Sequence, residues 1–596
     1  VPLFFVNTKG CYSANMLIMR QISHILALIV VAVQFSGCAM NASQQDKNLT
    51  IERTWSPHQE SQAVLPNIPL EGETLYDLLV GEMAGQRGEL VLSVRHYLQA
   101  AVETRDPRIA ERATRIAIYS RMQDEALKAG RIWVETDPEN LQAHQVLSGL
   151  YMRHGDPMGA IPHLEKLLTY KDEETAKRLL MISNLLSKQK DKDVALKAME
   201  KLLESRKDNA DALYAYGFLA MQADKLELAE KNIDKVLTLR PGWVDAIIIR
   251  ARIYVARGQK TTARKYLEDA VDDNSDNVVL RLSYGRLLID LNKPELAREQ
   301  FQWLAENLPE NEDIIYTLAA LSLQTDHLDE AKEHFLTLAD DPEKGSEVYF
   351  YLGQIAERQH EPDLAIDYYS RITTGQLNHL NAQVRISYLM VKKAGLEKAL
   401  KYLRSIETSK EKEQTRLYIV EGEILTTADR HQEAMEVFNA ALIKMPGNND
   451  LLYARAMLAE KMDQLELLER DLRKIMETDP ENAQALNALG YTLADRTTRY
   501  QEALNYVKRA LELEPTSYFI LDSMGWVYYR MGNYEEAIKY LQRAMNIQWD
   551  PEIAAHLGEV LWVKGDQNGA REIWDSALKK APQDKLLLEV IKRFKK

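Results

Sequence analysis

The thiol of Cys38 closes the run Phe35-Ser36-Gly37-Cys38, a small-residue cleavage site that follows Arg20 and the apolar stretch from Ile25 to Val33. Positive, apolar and small residues in that order make a secretory signal. A second pattern, Ser187 to Lys190 (SKQK), has the Ser-x-x-Lys spacing of some acyl transferases. It falls in a turn and lacks the partner motifs such enzymes need, so we read it as accidental. His96, His144, His163, His327, His334, His360, His379, His431 and His556 are scattered along the chain. His327 and His334 lie close in sequence but with a turn between them. HExxH, GxxxxGK, GxSxG and Cys-x-x-Cys are all absent. The expectation is a protein without catalytic residues, metal, cofactor or small-molecule substrate.

The spacing that does recur belongs to small residues. In MGWVYYRMGNYEEAIKYLQRA (524–544) Gly525 sits inside a helical pattern, where glycine costs roughly 1 kcal/mol relative to alanine. The same position holds Gly558, Gly490, Gly422, Gly353, Gly285 and Gly217. A companion alanine recurs from Ala126 through Ala160, Ala195 and Ala229 to Ala537 and Ala570, mostly at steps of 34 residues. Units begin near 74, 107, 141, 176, 210, 244, 278, 312, 346, 380, 415, 449, 483, 518 and 551, which makes fifteen. Position 8 (Gly525) and position 20 (Ala537) must lie where helix A crosses helix B. Leu521, Met524, Tyr528 and Leu541 fill the seam around that crossing. Pro138, Pro241, Pro309, Pro446, Pro480 and Pro582 end helix B, because proline lacks the amide donor.

A 34-residue helix–turn–helix period resembles the tetratricopeptide repeat. The resemblance implies an all-α, right-handed superhelical solenoid over residues 74–583, about 15 helix pairs long. Residues 584–596, amphipathic through Leu587, Leu588, Ile591 and Phe594, are expected to cap the last repeat. Positions 5, 9 and 12 of helix A then look into a groove. They hold Tyr214, Phe218, Tyr316, Phe350, Tyr388, Tyr453, Tyr491, Trp526, Tyr529 and Trp562. Aromatics are enriched at binding hot spots, so these ten are the candidate partner-binding residues. The competing reading is that about half of them pad the contact between neighbouring helices. The Lys and Asn set of chaperone-binding repeats is missing, so recognition of a C-terminal carboxylate is not expected.

The end of the leader resembles a bacterial lipobox, with Phe35 where leucine is usual. That resemblance implies diacylation of Cys38 as the first mature residue, and Ala39 after it implies the outer membrane. The apolar stretch is short of the roughly 20 residues a membrane span needs. Residues 1–18 read as a gene-model extension and 19–37 as the signal peptide. From 38 to 73 the chain is rich in Gln, Asn, Ser and Pro, a tether with an r.m.s. reach of roughly 30 Å. Without the leader Cys38 is the only cysteine, so the repeats hold no disulfide. The formal charge is −14, from 75 basic and 89 acidic residues, and no basic stripe interrupts it. Nucleic acid is a poor partner for such a surface.

Two stretches, LYDLLVGEMAGQRGELVLSVRHYLQAAVETRDP (75–107) and RIAERATRIAIYSRM (108–122), resemble the opening repeats of a group of proteobacterial outer-membrane lipoproteins. The group includes the adaptor that binds and activates a periplasmic carboxyl-terminal processing protease. Membership implies a non-catalytic scaffold, anchored by lipid and facing the periplasm. It would recruit that protease and present peptidoglycan cross-link hydrolases to it. The alternative is an assembly or secretion factor for outer-membrane proteins or exported polysaccharide.

Overall fold

Close approach of two helices decides the repeat. A β-carbon added at Gly525 would lie 2.6 Å from Leu541 Cγ and 3.1 Å from the Ala537 carbonyl oxygen. At Gly558 it would lie 2.0 Å from Trp574 Nε1. Gly217, Gly285, Gly353 and Gly422 meet Ile233, Phe301, Tyr369 and Phe438 in the same way. A large residue of helix B thus occupies the space that glycine leaves on helix A, which offsets the helical cost of that glycine.

The computed structural model describes residues 65–66, 71–169, 175–341 and 344–594. The described residues form fifteen helix pairs and a final helix, with one short 3-10 turn at Glu204–Arg206 and no strand. The leader, Cys38 and most of the tether lie outside the described residues. Two compact units divide at Ile314 and Ile315. The first holds seven pairs, from Gly72–Gln86 with Leu90–Thr104 to Val278–Asp290 with Pro294–Asn307. The second runs from within Glu312–Gln324 to the pair Pro551–Lys564 and Gln567–Lys580, followed by Lys585–Phe594.

Turn chemistry sets the spacing within each pair. In most pairs a residue one or two places beyond helix A enters the left-handed region, and it is glycine at 88, 155, 258, 532 and 565. Asp224, Asn292, Asp326, Asp429 and Asp463 take the same role, as short polar side chains tolerate that conformation. Helix A is opened by Asn140, Asn209, Asn277, Asn448 or Asn482, whose side chain accepts from the backbone N–H three residues on. Such a cap stabilises a helix by about 1 kcal/mol. Helix B stops two residues short of Pro138, Pro241, Pro309, Pro446, Pro480 and Pro582.

Each unit buries its own apolar seam. One cluster links Met152, Leu164, Ile182, Met199, Leu219 and Ile253. Another, in the second unit, links Val384, Leu425, Phe438, Leu472, Val507 and Met524. The final helix seals the last pair with Leu587, Val590 and Ile591 buried, while Phe594 packs its ring 6.0 Å from Trp574. Leu588 departs from expectation: it is 43% exposed, and Val590 takes its place on the apolar side.

Candidate protein-binding face

None of the ten aromatics named above is exposed. Tyr214, Tyr316, Tyr491 and Trp526 are buried, and Phe218, Phe350, Tyr388, Tyr453, Tyr529 and Trp562 are half-buried. The expectation of open groove residues is therefore corrected, most firmly for the four buried rings. The cause is contact with neighbouring rings and helices. Tyr214 stacks on Trp243 at 4.7 Å, and Tyr316 meets Phe335 and Tyr351. Phe218 stacks on Tyr214 and Phe350 tilts against Tyr369. Trp562 packs against both Trp574 and Phe594, which also touch each other. Tyr388 donates to Glu423 of the next repeat, and burial pushes the Tyr453 hydroxyl up to about 12.

Three of the ten come together, and polar groups that sequence reasoning missed surround them. Tyr491 on Ala483–Arg496 stacks on Trp526 of Tyr518–Arg530, with centroids 6.5 Å apart. Trp526 in turn packs on Tyr529 at 4.9 Å and on His556 of Pro551–Lys564 at 4.2 Å. Its indole N–H donates to Asp495 Oδ1 at 3.1 Å, and Arg530 bonds the same carboxylate. Tyr529 donates to Glu559 Oε1, whose other oxygen accepts from Arg593.

Beneath these rings His556 Nδ1 lies 2.9 and 3.1 Å from the two Asp522 oxygens, both side chains almost fully enclosed. Burial alone would lower the imidazole, but the Asp522 charge and hydrogen bond outweigh it, so His556 is raised. Glu552, one turn earlier on the helix, is pushed up to about 8 by burial, and Glu460 on Asn449–Lys461 to about 7. Asp522 and His556 are one repeat apart. That interval was readable in the sequence, but position 5 pairing with position 6 of the next unit was not.

Elsewhere the chemistry is modest. Ser187 Oγ donates to the Asn184 carbonyl, a bond within its own helix, and His327 Nδ1 lies 3.0 Å from Thr325 Oγ1. His144 and His163 do meet, Nδ1 to Nδ1 at 3.1 Å, although scattered placement was expected. No group of three metal-ligating side chains assembles among the described residues. The front stretches set apart in the sequence are mostly helix, Gly72–Gln86, Leu90–Thr104 and Pro107–Tyr119, joined by turns. Gly88 supplies the left-handed residue of AGQRGE, and Asp106 caps the helix that begins at Pro107.

The chain resembles known repeat proteins. Tetratricopeptide repeat models match residues 180–242, 250–312, 316–376, 483–517 and 518–548. The TPR repeat-containing protein PA4667 of Pseudomonas aeruginosa is 34% identical over 491 residues, covering 82% of each chain. The TPR repeat-containing protein MJ1428 of Methanocaldococcus jannaschii is 22% identical over 62% of this chain and 68% of its own. Among solved structures, Naa15/Naa10 bound to HypK-THB aligns over 87% of this chain and 88% of that one. It does so at 14% identity and a TM-score of 0.33. Repeat content, helix pairing and the Pseudomonas likeness agree, and the chain belongs to the tetratricopeptide-repeat family.

Proposed function

We propose that this chain is a lipid-anchored periplasmic adaptor, held at the outer membrane through Cys38. It recruits and activates a carboxyl-terminal processing protease and presents peptidoglycan hydrolases to it. The coarser part rests on the family: tetratricopeptide repeats are protein-interaction scaffolds, and stacked repeats create extended binding surfaces. The observation that carries the reading is the inner face of residues 449–564. There Tyr491 and Trp526 are buried and Tyr529 is half-buried, bordered by Asp495 and Glu559, so the rigid ring cluster supports a neighbouring partner surface rather than forming an open aromatic face itself.

The reading is tested by adding the purified lipoprotein to the protease with a peptidoglycan hydrolase as substrate. Turnover should rise with the adaptor and fall back when it is omitted. Unchanged turnover across a full titration refutes the protease role. For the anchor, a fatty-acid analogue should label the wild type and not Cys38→Ser. Equal labelling of both refutes lipidation at that thiol.

A further inference from the structure

Exposed apolar side chains are spread thinly over the described residues, with one exception. The first helix, Gly72–Gln86, leaves Leu75, Tyr76, Leu79 and Met83 exposed at 43%, 60%, 55% and 49%. No other described helix exposes more than two large apolar side chains. An amphipathic helix ordinarily turns its apolar stripe to the core, yet here Asp77, Gly81 and Ala84 are the buried residues. The cause is the place of this helix in the array. Leu90–Thr104 covers its inner side, with Tyr97 against Gly81 and Ser93 against Gly85. No repeat precedes it among the described residues. At the other end of the array Lys585–Phe594 covers the last pair with Leu587, Val590 and Ile591.

Leu75, Leu79 and Met83 recur every fourth residue and so form one ridge, roughly 12 Å long at 1.5 Å per residue. Tyr76 flanks it, its ring edge-on to His96. The pattern is symmetric about Leu79. When two such ridges meet antiparallel with Leu79 on a two-fold axis, residues equally far before and after Leu79 face one another. Leu75 then faces Met83 of the second copy, and Glu71 faces Arg87. Glu71 and Arg87 are both exposed, so each end of the paired helices sets a carboxylate opposite a guanidinium. A parallel arrangement would instead set Glu71 on Glu71 and Arg87 on Arg87. A lipid surface suits the face less well. Interfacial helices are rich in Lys and Arg, whereas Glu71, Glu73, Asp77, Glu82 and Glu89 here accompany Arg87 alone.

We propose that the chain associates with a second copy of itself through this first helix, as an antiparallel two-fold pair with Leu79 at the axis. Leu75, Leu79 and Met83 of the two copies form the apolar centre, and two Glu71–Arg87 pairs close its ends. A contact of the same patch with itself is complete at two copies and stops at a dimer. One helix from each copy buries less than the roughly 1,200 Å² at which stable interfaces begin, so monomer and dimer exchange. This association stands apart from the protease reading and does not depend on it.

The test is sedimentation equilibrium of the full chain, loaded from about 1 µM to about 200 µM, the range in which so small an interface associates. The average mass should climb from monomer toward dimer. Leu79→Lys sets two ammonium groups together on the axis and should hold the chain monomeric throughout. Its melting temperature should not change, because Leu79 is more than half exposed. Glu71→Arg or Arg87→Glu alone places like charges opposite each other twice and should weaken the dimer about tenfold. The two together should restore it to within about threefold of wild type. A wild type that stays monomeric at every concentration overturns the proposal, and the face then belongs to the chain that precedes it, a different protein or lipid. Association that survives Leu79→Lys overturns it as well, because it runs through another part of the chain. A double variant no better than the single ones overturns the antiparallel pairing on which the proposal rests.

Discussion

His144 and His163 touch in the third repeat, while His556 faces Asp522 across the fourteenth and fifteenth, and the two buried contacts work by opposite rules. In the first, two imidazoles share one proton. His144 Nε2 lies 3.0 Å from the Pro138 carbonyl and so donates to it, leaving Nδ1 to accept from His163. Charging either ring would set two donors face to face, and burial lowers both, His163 to about 4. In the second, a carboxylate opposite the ring favours the imidazolium, and His556 is raised. The same residue type is biased toward the neutral form in one repeat and toward the protonated form in another. The partner one helix away decides which.

The largest expected effect comes from breaking the charged contact. His556→Leu leaves the Asp522 carboxylate buried without its partner, a loss of about 3–5 kcal/mol. Asp522→Leu with His556→Leu should recover most of it, since replacing both members of a buried pair with apolar residues is often neutral. The comparison sharpens with His163→Leu, which removes a neutral hydrogen bond and should cost only about 1–2 kcal/mol. Hydrogen exchange resolves each loss, which should stay within neighbouring repeats. Equal losses at the two sites would show that the charge on His556 contributes nothing.

A second difference between the regions lies at position 8. In the fourteenth repeat Gly525 leaves room for Leu541, so Gly525→Ala forces a β-carbon to 2.6 Å from Leu541 Cγ. Overpacking of that kind costs about 1–3 kcal/mol. In the second and third repeats the place belongs to Thr114 and Ser148, whose hydroxyls bond carbonyls of their own helix. Ser148→Gly should cost only about 0.5–1 kcal/mol, the ordinary penalty of an interior glycine. Urea unfolding of the two variants checks the order, and a larger loss at Ser148 would reverse the argument.

Much of this architecture was legible because period and steric role coincide. Gly525, Ala537 and the helix-ending prolines each have a local physical reason and recur at a fixed interval. The site was less legible. Positions 5, 9 and 12 share one face of helix A by their spacing alone, but periodicity does not say how far that face packs on its neighbours. Tyr491 and Trp526 are buried because rings at the same position of successive repeats stack on each other. Asp522, His556, Glu460 and Asn487 look like ordinary polar residues until burial and pairing are known. The His144–His163 contact joins helix A to helix B within one repeat, and no catalytic or metal motif predicts it.

The smallest expected effect is the most diagnostic, because its sign differs between the two regions. For His163 the folded value, about 4, lies below the ordinary 6.5, so the unfolded chain binds the extra proton. Its contribution is complete above pH 6.5 and is lost as pH falls toward 4. In the last repeats the direction reverses. Glu552 and Glu460 are raised from 4.5 to about 8 and about 7, Asp550 is raised too, all by burial, and His556 is raised by Asp522. Here the folded state binds the extra protons. The stabilisation is complete below pH 4.5 for the glutamates and is lost as pH climbs toward 8, while the His556 part goes as pH passes its raised value. Partial solvent screening reduces each effect to about 1 kcal/mol. Exchange rates corrected for intrinsic pH dependence should therefore show the third repeat gaining protection between pH 5 and 7 as the twelfth (Glu460), fourteenth and fifteenth lose it. In Asp522→Leu/His556→Leu the histidine part of that loss should vanish and the glutamate part remain. Parallel drift of both regions would mean that a charge spread over the whole chain, and not these buried groups, governs its response to pH.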